Sequence, residues 1–158
     1  MPLFKRSATN LPRVHSYWAP RLLRFFCLYV GNQTLAESLT IEVLTEGECL
    51  RDRRSAGGLP VALIRRAINL AVQAPEASTL LDDPVVQAVN SLPLARRVVI
   101  ALFRGLGLSL AEVADVTDSS LAETKRVCAD GLLAIHRFLT APEKNNIPNS
   151  KAPTRVSQ

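Results

Sequence analysis

Two serine–glutamate pairs, eleven residues apart, constrain this chain more than any other feature. Ser109 stands three residues before Glu112, and Ser120 three residues before Glu123. In each pair the serine oxygen can accept from a backbone N–H one turn in, while the glutamate reaches back to the serine N–H, which is a capping box. Two capped starts at that spacing leave room for one short helix, a tight turn and a second helix. This is a helix-turn-helix, whose second helix can enter a DNA groove. Leu121, Thr124, Cys128, Gly131 and Ile135 recur at intervals of three and four and predict the inward face of the second helix. Lys125 and Arg126 fall outside that stripe.

The rest of the chain also reads as helix. Helices are predicted near 19–30, 34–48, 60–73, 93–104, 109–116 and 120–139, with a brief one over 85–90. A Thr34–Glu37 capping box opens the second, with Leu35, Leu39 and Val43 on one face, and Pro60 suits the first turn of the third. Leu63 or Ile64, Ala67 or Ile68, and Ala71 form that helix's stripe. Leu94, Val98, Ala101 and Leu102 face inward on the helix opened by Pro93, which Gly105 and Gly107 end. Runs of period two are absent, so the fold class is all-α. The expected organisation is a disordered arm over 1–16, a helical domain over 17–74, a linker over 75–84, a helix-turn-helix domain over 85–141, and a disordered tail over 142–158.

Composition narrows the function. Apolar residues make up 47% of the 158, enough for a packed aliphatic core. Cys27, Cys49 and Cys128 lie far apart, without the pairing of a zinc site or a disulfide framework, and read as buried apolar residues. His15 and His136 are distant from each other, and no nucleophile elbow, phosphate loop or metal-ligand spacing occurs, so neither catalysis nor a cofactor is expected. No stretch is apolar and long enough to insert in a membrane, and the N-terminus lacks the apolar run of a signal peptide, so a cytoplasmic location is expected. The net charge of +5 invites a nucleic-acid reading, but its distribution opposes one. Residues 105–141 hold three basic and five acidic side chains, and phosphate neutralisation supplies most non-specific DNA affinity.

The segment from Leu92-Pro93 through Arg96-Arg97, Leu108-Ser109 and Glu112-Val113-Ala114 resembles region four of bacterial sigma factors, most closely the extracytoplasmic-function group. Gly31-Asn32 followed by Ala36-Glu37-Ser38-Leu39 resembles the polymerase-binding region two of that family. The helix holding Arg65, Ala67, Asn69, Leu70 and Ala71 resembles its promoter-melting helix. Similarity spans about residues 17–139.

The resemblance implies a transcription-initiation subunit whose partners are the RNA polymerase core, promoter DNA and an anti-sigma factor. It implies DNA contacts by Ser120, Leu121, Glu123, Thr124, Lys125, Arg126 and Val127, and by Arg65 and Arg66. It places polymerase contacts at Glu37, Ser38, Ile41 and Glu42. Several positions depart from the family pattern. Val127 stands for an arginine, Asp130 for a basic residue and Asp118 for a turn glycine. Ser38 and Ile41 replace an aspartate and a glutamine, and Ala62 and Gln73 a tryptophan and an aspartate. Thr124, Cys128 and Gly131 are smaller or more polar than usual, which predicts weaker packing; Gly131 alone costs about 1 kcal/mol against alanine. Asp130 is expected to repel phosphate. A second reading is therefore a sigma-like protein-interaction module without promoter recognition.

Overall fold

The computed structural model describes residues 11–47, 60–76 and 81–141. These contain seven α-helices and no strand: α1 (Leu11–Val30), α2 (Gln33–Gly47), α3 (Val61–Gln73), α4 (Pro84–Asn90), α5 (Leu94–Ile100), α6 (Leu110–Thr117) and α7 (Leu121–Thr140). A π-helical segment, Ala101–Leu106, continues α5 without a break. The expected tail and Cys49 lie outside the described residues.

α1 is the central element because four of its residues at helical spacing are large and apolar. Leu22, Phe25, Phe26 and Tyr29 are all buried. Each removes about 2–3 kcal/mol worth of apolar surface from water. The Phe25 and Phe26 rings meet edge to face with centroids 5.1 Å apart. α1 packs against α2 and α3, and also against α4 and the π-helical segment, while α7 packs on α4, α5 and α6. One cluster of buried residues therefore runs from α1 to α7.

α1 starts at Leu11, not near Ala19, so residues 11–16, expected in a disordered arm, are helical. Pro20 lies inside the helix and withdraws one N–H from its ladder, which is what suggests a later start. Trp18, packed against the core, and Arg21, whose guanidinium lies 4.2 Å from the Tyr17 ring centroid, continue the helix's contacts past that proline.

The helix ends are settled by local chemistry. Asn32, not Thr34, caps α2: its Oδ1 accepts from the Leu35 N–H at 2.9 Å, and Glu37 instead accepts from Gln33. Asp83 caps α4 by accepting from Val85 and Val86, with Pro84 in the first turn. Gly107, at φ 71°, ends the π-helical segment, whereas Gly105 is buried inside it. Leu94 is exposed and Val98 half-buried; Val99 and Ile100 take the inward positions expected of them.

Side-chain donors distant in sequence close other ends. Arg21 Nη1 donates to the Leu106 carbonyl at 3.0 Å, and Asn90 Nδ2 to the Leu28 carbonyl at 3.0 Å. These satisfy carbonyls that a helix leaves without partners at its C-terminus.

Gly131 is not a packing defect. A Cβ there would stand 2.9 Å from Ile100 Cγ1 and 3.1 Å from its Cδ1, and Ile100 is buried. The glycine makes room for the isoleucine. Gly131→Ala should gain about 1 kcal/mol of helix propensity and lose more than that to overpacking, which costs about 1–3 kcal/mol. A net loss near 1 kcal/mol in urea denaturation is expected, partly recovered by adding Ile100→Val. A more stable single variant would show that Ile100 gives way freely.

Candidate nucleic-acid interface

Ser109 and Glu112 form the complete capping box: the hydroxyl accepts from the Glu112 N–H at 3.2 Å and the carboxylate from the Ser109 N–H at 2.7 Å. Ser120 forms only half of one. Its hydroxyl accepts from the Glu123 N–H at 3.1 Å, but the Glu123 carboxylate turns outward to Arg126. Between the helices, Asp118 adopts a left-handed conformation at φ 52°, the one non-glycine residue to do so among those described.

The first turns of α7 sort the predicted DNA contacts. Ser120, Glu123, Lys125 and Arg126 are exposed. Leu121, expected inside, is 42% exposed. Thr124, also expected to contact DNA, is 1% exposed, and its hydroxyl donates to the Ser120 carbonyl at 3.0 Å. It lies on the same face as buried Cys128 and Gly131, so it cannot reach a base edge. Val127 is half-buried against the core and presents no polar group. Burial raises the Cys128 thiol above its ordinary value, as it does Cys27, where Glu37 adds to the effect.

Charge on this surface is already partnered. Glu123 accepts from Arg126 at 2.6 and 3.1 Å, and this bonding holds its carboxyl below the usual carboxylate range. Asp130 stands 3.8 Å from both Arg126 and Arg96. Between two guanidiniums its charge is compensated, so the bare repulsion of phosphate expected from the sequence does not describe its setting. Lys125 has no ion-pair partner among the described residues.

On α3, neither candidate arginine points free into solvent. Arg65 Nη2 donates to Asp118 Oδ1 at 2.8 Å and to the Asp115 carbonyl at 3.3 Å, and its Nε donates to the Val116 carbonyl at 3.3 Å. Arg66 grips the Glu46 carboxylate with Nε and Nη2, the latter at 2.9 Å, and reaches Glu42 at 3.5 Å. This hydrogen bonding lowers the Glu46 pKa and raises that of Arg66. The sequence carried a signal for the Arg65 contact in Asp118, an acid where a turn favours glycine, but nothing local named its partner.

α2 brings the predicted polymerase contacts together. Glu37, Ser38, Ile41 and Glu42 all lie on its exposed side, at i, i+1, i+4 and i+5, while Ala36, Leu39, Thr40 and Val43 face the core. Ile41 is 65% exposed. A separate cavity of about 440 Å³, which sequence reasoning missed, is lined by Tyr29, Val72, Asn90, Leu94 and Arg97 among others. Arg97 donates from its wall to the Asn90 and Leu92 carbonyls. No group of three or more metal-ligating side chains occurs among the described residues, and none of their helices is long and apolar enough to cross a membrane. No protein-family model matches this chain, and no curated protein matches it significantly.

Proposed function

We propose that this chain is a divergent sigma factor, a transcription-initiation subunit that docks on RNA polymerase through α2 and offers the first turns of α7 to promoter DNA. The observation that carries this reading is the capped α6–turn–α7 unit, with Ser120, Leu121, Lys125 and Arg126 outward and Thr124 and Cys128 anchored inward. Such an arrangement holds the start of a helix rigidly while leaving it free to enter a groove. The ion pairs on this surface do not forbid that role. Arg126–Glu123 is an exposed pair that solvent screens, so a phosphate competes for the guanidinium at little cost.

The second reading, a sigma-like module that binds another protein such as a polymerase subunit or an anti-sigma factor, is favoured by one observation. Arg65, Arg66 and Arg126 all hold carboxylates of the chain itself.

Salt dependence separates the two. Binding of the full chain, free and with polymerase, to promoter-length duplex DNA is measured across a salt series. Replacing Lys125 and Arg126 by alanine is expected to make the slope of log affinity against log salt shallower by roughly 0.9 for each lost phosphate contact. Tethering on polymerase raises the effective concentration of α7 at the DNA, so the effect is expected to be clearest there. An unchanged slope in both settings would give preference to the interaction-module reading.

A further inference from the structure

Arg65 lies 53 residues from Asp118 in sequence, yet three acceptors of the α6–α7 junction converge on its guanidinium. Two are carbonyls at the C-terminal end of α6, where the helix dipole places negative charge and where backbone acceptors lack intrahelical donors. The third is the Asp118 carboxylate, on a residue held at φ 52°. Glycine takes that conformation without strain, so the turn alone does not call for an aspartate. What aspartate adds is an anion directed at Arg65.

We propose that Arg65 is an internal lock that holds α3 on the α6–α7 turn, and that a nucleic-acid phosphate must displace this contact to engage Arg65 through its Nε–Nη2 edge. The proposal rests in part on the DNA-binding reading above. The guanidinium's Nε and Nη2, one of its paired donor edges, are both committed to the turn. A bidentate phosphate contact through that edge requires their release. The side chains of Arg65 and Asp118 are 46% and 80% exposed. Screening at such exposure keeps the pair weak, so a polyanion with many charges can open it. The Arg21–Leu106 contact and the shared core remain when it opens, which confines the change to Arg65, the end of α6 and the turn.

The test uses the full chain with Asp118→Asn, Arg65→Gln and both together. Asparagine tolerates the left-handed turn, so Asp118→Asn removes the charge without adding backbone strain. Backbone hydrogen exchange is followed over residues 110–124, where the Ser119 N–H donates to the Ala114 carbonyl at 3.0 Å, and over α3. Either single variant should raise exchange at the turn. A mixed-sequence 20-base-pair DNA duplex serves as the polyanion. Asp118→Asn should tighten its binding roughly two- to fivefold, the scale of an exposed pair released, and Arg65→Gln should abolish that gain. Unchanged exchange in both single variants overturns the lock. A gain of equal size with and without Arg65 reports only the removal of a negative charge and overturns the competition. If no variant binds the duplex, the DNA-binding reading and the competition fail together, and the exchange result alone then decides whether Arg65 locks the turn.

Discussion

Gly105→Ala is expected to cost about 3 kcal/mol of stability, the upper end of what overpacking costs. A Cβ at Gly105 would stand 2.6 Å from Phe25 Cα, 2.9 Å from Phe25 N and 3.3 Å from the Arg24 carbonyl carbon. All three are backbone atoms of α1, which no change of rotamer moves aside. The added methyl must therefore push the π-helical segment off the central helix, loosening Phe25, Leu102 and Leu106, each fully buried. The reason for glycine is space. Gly107 is the contrasting case: it adopts φ 71°, and the nearest atom to an added Cβ is the end of the Arg21 side chain at 3.3 Å. Gly107→Ala should lose only about 1–2 kcal/mol to left-handed strain. Urea denaturation of the two variants checks the order. Equal losses would mean that α1 and the π-helical segment do not need this close approach.

The difference between these glycines explains which parts of the fold were legible in the sequence. Gly107, Ser109, Ser120 and the apolar stripes act through neighbours three to five residues away, and those were read as helix starts and ends. Gly105 reads as a second helix breaker until Phe25, eighty residues earlier in the chain, is brought against it. The same holds for Gly131, which reads as a defect until Ile100 fills its space. The start of α1 was hidden for the opposite reason, because Pro20 is a strong local signal that tertiary packing overrides. In the candidate interface, the exposure of Lys125 and Arg126 followed from helical periodicity. The burial of Thr124 followed from the same periodicity, which the family resemblance set aside when it placed that residue on DNA. The partners of Arg65 and Arg66, and the Arg96 that faces Asp130, lie on other elements of the chain, beyond what spacing along one helix reveals.

On α2, combined charge reversal at Glu37 and Glu42 is expected to weaken binding to the RNA polymerase core by about 1–3 kcal/mol, roughly five- to 150-fold. The sigma-factor reading motivates this, because both carboxylates share one exposed side of α2 with Ser38 and Ile41. Ile41 gives that surface an apolar centre, 65% exposed in the free chain, with charged groups beside it. A buried apolar contact inside a polar rim is the arrangement that concentrates binding energy. Ile41→Ala should thus weaken docking by about 1 kcal/mol without touching a charge, since it removes apolar surface that only a partner would cover. Neither change enters the core, which α2 meets through Ala36, Leu39 and Val43. One local cost accompanies Glu42→Lys, which places a cation near Arg66, now 3.5 Å from the Glu42 carboxylate. Arg66 keeps its bonds to Glu46, and exposure screens the new repulsion, so thermal stability should fall only slightly. Affinity for the polymerase core is measured for the wild type, the charge-reversed pair and Ile41→Ala, each checked for helicity and melting temperature. Weaker docking by both variants, with the fold retained, would place polymerase on this side of α2. Unchanged affinity in both would make Glu37, Ile41 and Glu42 ordinary solvated positions. It would also remove the docking half of the proposed function, whatever α7 does with DNA.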